Sequence, residues 1–111
     1  MTIQPVLRWL ALAILCIGQG VRAEVPADAV WIDVRTPAEY ASGHLQQATL
    51  IPFDGIEAGI AQLQLDRDAP IYLYCAAGGR AEKAKERLEA LDYTNVTNVG
   101  GLEDAEELAG T

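Results

Sequence analysis

Cys75-Ala76-Ala77-Gly78-Gly79-Arg80 is the one stretch of this 111-residue chain whose residue types and spacing suit covalent chemistry. It follows an apolar run, Ile71-Tyr72-Leu73-Tyr74, and opens a segment of helical periodicity. A Cys there sits at the carboxyl end of a strand, where open α/β sheets bind their ligands. Gly78 and Gly79 allow a sharp turn, and Ala76 and Ala77 keep its rim small. Amides converging from such a turn, a helix N-terminus and the charge of Arg80 all favour a thiolate. An ordinary Cys, with a pKa of about 8.5, is only about 3% thiolate at pH 7. The loop therefore reads as a cradle for a nucleophilic sulfur and for any anionic group on it. It offers no separate general base: the only His, His44, lies far away in sequence. Two duller readings stand beside this one. Cys75 is also the kind of small thiol that packs into cores, and Arg80 the kind of Arg that coats a helix.

The elements that would position this loop alternate along the chain. Val30 to Val34 favours a strand. Thr36-Pro37-Ala38-Glu39 combines an N-cap, a first-turn Pro and a capping-box Glu, and predicts a short helix to Gly43. Ala48 to Ile51 is a second strand stopped by Pro52, and Asp54 is expected to cap a helix with Ile56, Ile60 and Leu63 on one face. Ile71–Tyr74 lacks polar alternation, as a strand covered on both faces should. The next helix places Ala81, Ala84, Leu88 and Leu91 inward, and Val96 to Val99 forms a last strand closed by Gly100-Gly101. Leu102 to Ala109 is an acidic helix or tail with a solvated face. The fold class is α/β: a four- or five-stranded, mainly parallel sheet with helices on both faces.

Residues 1–23 read as a cleaved secretory signal. Arg8 supplies the positive end, Trp9 to Ile17 the apolar run, and Val21-Arg22-Ala23 the cleavage site, leaving a single domain over 24–111. Nine apolar residues reach only about 14 Å as a helix, short of the roughly 30 Å needed to span a membrane. Cys16 has Leu15 before it rather than the small residue a lipidated Cys follows. The whole chain carries a formal charge of −8, and the processed chain, with six basic and sixteen acidic groups, −10. That balance argues against nucleic acid as a partner, because phosphate binding needs a basic patch. Without Cys16, Cys75 has no partner for an internal disulfide, and an unpaired thiol in an oxidising compartment points to chemistry or to intermolecular pairing. An accessible thiol of low pKa there is open to oxidation.

The form Cys-x-x-Gly-x-Arg, with four residues between Cys75 and Arg80, resembles the active loop of single-domain rhodaneses. Trp31-Ile32-Asp33-Val34-Arg35-Thr36-Pro37-Ala38-Glu39-Tyr40 resembles that family's first signature. Gly43-His44-Leu45-Gln46-Gln47-Ala48 with Ile51-Pro52 resembles the second, and Asn98-Val99-Gly100-Gly101-Leu102 the closing segment. With the leader, the chain is most similar to the periplasmic, phage-shock type. The resemblance implies a thiosulfate sulfurtransferase. Cys75 would take sulfur from a small anionic donor and pass it to cyanide or a thiol. Arg80 would bind the donor's sulfonate, and the amides of Ala76, Ala77, Gly78, Gly79 and Arg80 would hold the persulfide. It implies no metal or organic cofactor. The expected product is a periplasmic monomer with no membrane attachment after cleavage.

Phosphatase or arsenate chemistry, which on this architecture uses one residue more between Cys and Arg, is the alternative, along with a non-enzymatic stress-related binding module. Disulfide exchange is weakened because no Cys-x-x-Cys pair exists. Asp33, Arg35 and Glu39 read as structural ion pairs and caps, His44 as locally hydrogen-bonded rather than catalytic, and Trp31, Tyr72 and Tyr74 as sheet-face residues. The family often has a polar residue directly after the Cys. With Ala76 and Ala77 there instead, and a domain of charge −10, thiosulfate affinity is expected to be weak because the domain repels a dianion. The thiosulfate KM should then stay flat or fall with inert salt. A steep rise would mean net attraction and overturn this expectation.

Overall fold

The structure, a computed structural model, describes residues 24–110; the signal expected over 1–23 and Cys16 lie outside them. The order is β1 (Val30–Asp33), α1 (Pro37–Ala41), β2 (Thr49–Leu50), a 3-10 turn (Phe53–Gly55), α2 (Ile56–Leu63), β3 (Ile71–Cys75), α3 (Gly79–Ala90), β4 (Val96–Gly101) and α4 (Leu102–Ala109). All pairings are parallel, and the four strands run β2-β1-β3-β4.

The period-2 geometry of the central strands sorts their side chains between two cores. Ile32 and Val34 with Ile71, Leu73 and Cys75 face one side, against Ile56 and Ile60 of α2 and Ala81, Ala84 and Leu88 of α3. Trp31, Tyr72 and Tyr74 face the other, against Leu45, Ala48 and Ala105 of α4. Helices thus cover both faces, as the unalternating run at 71–74 required. Among the described residues no helix is long and apolar enough to cross a membrane.

Several local expectations are corrected. Leu91 is 37% exposed. Helix α3 stops at Ala90, the Leu91 amide bonds back to Leu88, and the buried place goes to Tyr93, whose amide also reaches the Leu88 carbonyl. Asp54 does not cap α2. The Phe53 amide donates to the Val34 carbonyl, so the chain turns early into a 3-10 turn, closed from the Gly55 amide to the Pro52 carbonyl. Gly55 then stands at the helix N-cap with no side-chain bond. The second strand shrinks to Thr49–Leu50, since Pro52 ends it. The last strand runs on to Gly101, with a bulge that pairs Leu73 with Asn98 but Tyr74 with Gly100.

Candidate active site

Strands β1 and β3 lie side by side, with Asp33 opposite Tyr74, so the segments leaving their carboxyl ends meet. From β1 comes the α1 entry, with Thr36 and Glu39 forming the predicted capping box. From β3 comes the loop 75–80.

Cys75 is 1% exposed, which corrects the expected accessible thiol. Its position on the inward face of β3 packs it among the core residues on one side, while the loop closes over the other. The Gly78 amide donates to Sγ at 2.9 Å. Burial pushes the thiol pKa up, but amides of Ala81, Ala77, Gly78 and Arg80 aimed at the sulfur outweigh it, and the net direction is down. Ala81 lies beyond the stretch expected to hold the sulfur. Ala76, Ala77 and Gly79 form an exposed rim. A reagent reaching Sγ must be small.

Of the two loop glycines, only Gly78 needs to be one. Its φ is +104°, a region that L side chains rarely adopt, whereas Gly79 begins α3 with open space where a Cβ would be. A less obvious glycine is Gly101, where a Cβ would come within 2.5 Å of the Ala76 carbonyl oxygen. The end of β4 therefore presses directly on the loop.

Two residues that sequence reasoning left without a role at the site hold it from outside. Asn98, on β4, donates from Nδ2 to the Gly78 carbonyl and to Glu82 Oε1, both at 3.0 Å, and its Oδ1 accepts from the Gly100 amide at 3.0 Å. It ties the loop, the first turn of α3 and the β4 bulge together. Asn98→Ala is expected to raise the Cys75 pKa and cost about 1 kcal/mol in stability. The pH profile of alkylation by iodoacetamide measures the first; a profile identical to wild type would show that the amides hold their aim without Asn98.

The second is Glu39. Arg80 does not project alone from the loop: its Nη1 and Nη2 donate to Glu39 Oε1 and Oε2 at 2.8 and 3.0 Å. Its guanidinium charge is paired there, while its backbone amide is among those aimed at the sulfur and its side chain still feels the sulfur's charge at longer range. The Arg80 bond, then the bonds from Thr36, hold the Glu39 carboxyl down at about 2.

Beneath the site, Arg35 is bound to Asp33 through Nε and Nη2 at 2.7 to 3.1 Å, and its Nη2 also donates to the Gly43 carbonyl at 2.7 Å. The Tyr74 hydroxyl accepts from the Leu45 amide at 3.0 Å, and burial pushes its pKa up to about 12. These bonds pin the 43–45 segment to the sheet. His44 sits outside this network. Its ring stacks on Tyr40 with centroids 3.6 Å apart, and its Nδ1 is 2.8 Å from the Tyr40 carbonyl oxygen. The described residues contain no cluster of His, Cys, Asp and Glu able to hold a metal ion.

The rhodanese-like domain profile matches residues 21–107. The chain is 42% identical over 74 residues to the thiosulfate sulfurtransferase PspE of Escherichia coli K12, covering 67% of this chain and 71% of that protein. It is 34% identical over 74 residues to a sulfurtransferase of Allochromatium vinosum, covering 67% of each. A solved E. coli rhodanese with bound anions superposes with a TM-score of 0.65 at 41% identity, over 68% of this chain and 89% of that one.

Proposed function

The chain belongs to the rhodanese-like family, and on that premise we propose that it is a sulfurtransferase using Cys75 as its nucleophile, with thiosulfate as a donor. The observation that carries this reading is the sulfur itself: a buried thiol at the end of β3, its pKa lowered by a ring of amides. In the first half-reaction the Cys75 thiolate attacks the outer sulfur of thiosulfate. The Sγ–S bond forms, the S–S bond of the donor breaks, and its electron pair leaves with sulfite. The persulfide inherits the negative charge, and the same amides stabilise it. In the second half-reaction cyanide or a thiolate attacks the outer sulfur, and thiocyanate or a new persulfide departs with the Cys75 thiolate restored.

Ala76, Ala77, Gly78, Gly79 and Arg80 surround the donor in this reading. The small rim admits a linear donor, and Arg80 reaches it only with the N–H groups that Glu39 leaves free. The chemistry calls on no metal or organic cofactor. We assign residues 1–23 to a secretory signal, 24–111 to the domain, and the protein to the periplasm as a monomer; the leader pattern supports export. Intact mass tests the reaction. Thiosulfate should add about 32 Da, and cyanide should remove it as thiocyanate appears. A folded, reduced sample that gains no mass would overturn the assignment.

A further inference from the structure

We propose that Glu39 is a specificity-determining residue of this site, withholding the guanidinium of Arg80 from the donor and so favouring sulfur donors of low charge over dianions. This rests on the sulfurtransferase reading above. Arg80 is the one charged side chain of the loop 75–80. It is engaged end-on, one terminal nitrogen to each Glu39 oxygen. The pair is reached by solvent, at 29% and 35% exposure, so a donor at the rim meets both charges. To a dianion, the attraction of Arg80 and the repulsion of Glu39 largely cancel. No rim residue makes up the difference, because Ala76 and Ala77 carry no donor beyond their backbone amides. Glu39 also stays ionised throughout the physiological range, since its carboxyl is held down at about 2. The Glu39 charge that opposes Arg80 is therefore present at every physiological pH.

Glu39 has a second job, in the capping box of α1, where Oε1 accepts from the Thr36 amide and hydroxyl at 3.0 Å. Gln performs that job as well as Glu. Glu39→Gln thus removes the charge and keeps the cap, which separates specificity from folding.

The experiment compares thiosulfate, a dianion, with methanethiosulfonate, a monoanionic sulfane donor. In Glu39→Gln the thiosulfate KM should fall about tenfold and the methanethiosulfonate KM only about threefold, since the lost repulsion scales with donor charge. The change should appear in KM rather than in kcat. Adding Arg80→Gln to Glu39→Gln should reverse the gain, because the gain works through the freed guanidinium. Thr36→Ala, which damages the cap but leaves the ion pair, should leave the ratio of the two KM values as in wild type. An equal change for both donors, or a thiosulfate KM that rises in Glu39→Gln, would overturn the proposal while the wild-type mass gain still upheld sulfur transfer. Wild-type protein taking sulfur from neither donor would overturn both.

Discussion

Replacing Cys75 by Ser is expected to abolish sulfur transfer, with the turnover of thiosulfate and cyanide falling at least about 1,000-fold. A hydroxyl at this position is close in size to the thiol, and Gly78 still donates to it. What is lost is the nucleophile: a Ser hydroxyl is not ionised near neutral pH, and among the described residues His44, the only His of the chain, is bound to Tyr40 away from the loop rather than paired with residue 75. The variant should therefore fold like wild type and show no gain of about 32 Da with thiosulfate. Retention of even a tenth of the wild-type rate would mean that the covalent intermediate forms elsewhere or not at all.

The second large effect is on stability. Asp33 is fully buried and is the ion-pair partner of Arg35, which is itself buried. Asp33→Ala leaves the guanidinium under the site without its carboxylate, keeping the Gly43 carbonyl as its hydrogen-bond acceptor and the Tyr74 ring beside it. Removing one partner of a buried pair costs about 3–5 kcal/mol, a large part of the total stability of a domain this small. The expected result is a large drop in the urea midpoint with little change in slope. Asp33→Leu combined with Arg35→Met should lose much less, because it removes both desolvated charges together. If Asp33→Ala costs less than about 1 kcal/mol, water reaches Arg35 and the pair is not sealed. The 43–45 segment should loosen in the single variant, since Arg35 anchors Gly43 and the Tyr74 ring beside it anchors Leu45.

Much of this was legible along the chain. The caps at Thr36–Glu39, the unbroken apolar run before Cys75 and the small-residue face of α3 each depend on neighbours within a few residues, so they survive being read one segment at a time. The structural roles expected of Asp33, Arg35 and His44 hold for the same reason: their partners lie two to eight residues away. Where local reading failed, the chain turned earlier than periodicity or cap chemistry implied. Leu91 has helical spacing but loses its buried place to Tyr93 once α3 ends. Asp54 has cap chemistry, but the bond from Phe53 to Val34 sets the turn first.

The sequence by itself determined the alternation of strands and helices, the two-sided burial of β3, and the composition of the sulfur cradle. These follow from periodicity and short-range backbone chemistry. Only the tertiary structure decided what surrounds that cradle. Glu39 and Arg80 are 41 residues apart, and Asn98 and Gly78 are 20. Each pair meets because the sheet order β2-β1-β3-β4 sets β1 and β4 on either side of β3, in a register that aligns their carboxyl ends with the loop. Register is a property of all the strands at once, fixed by which side chains every strand must bury. No single segment carries it, and so neither the neutralised arginine nor the tether on the loop is written in the motif that contains Cys75.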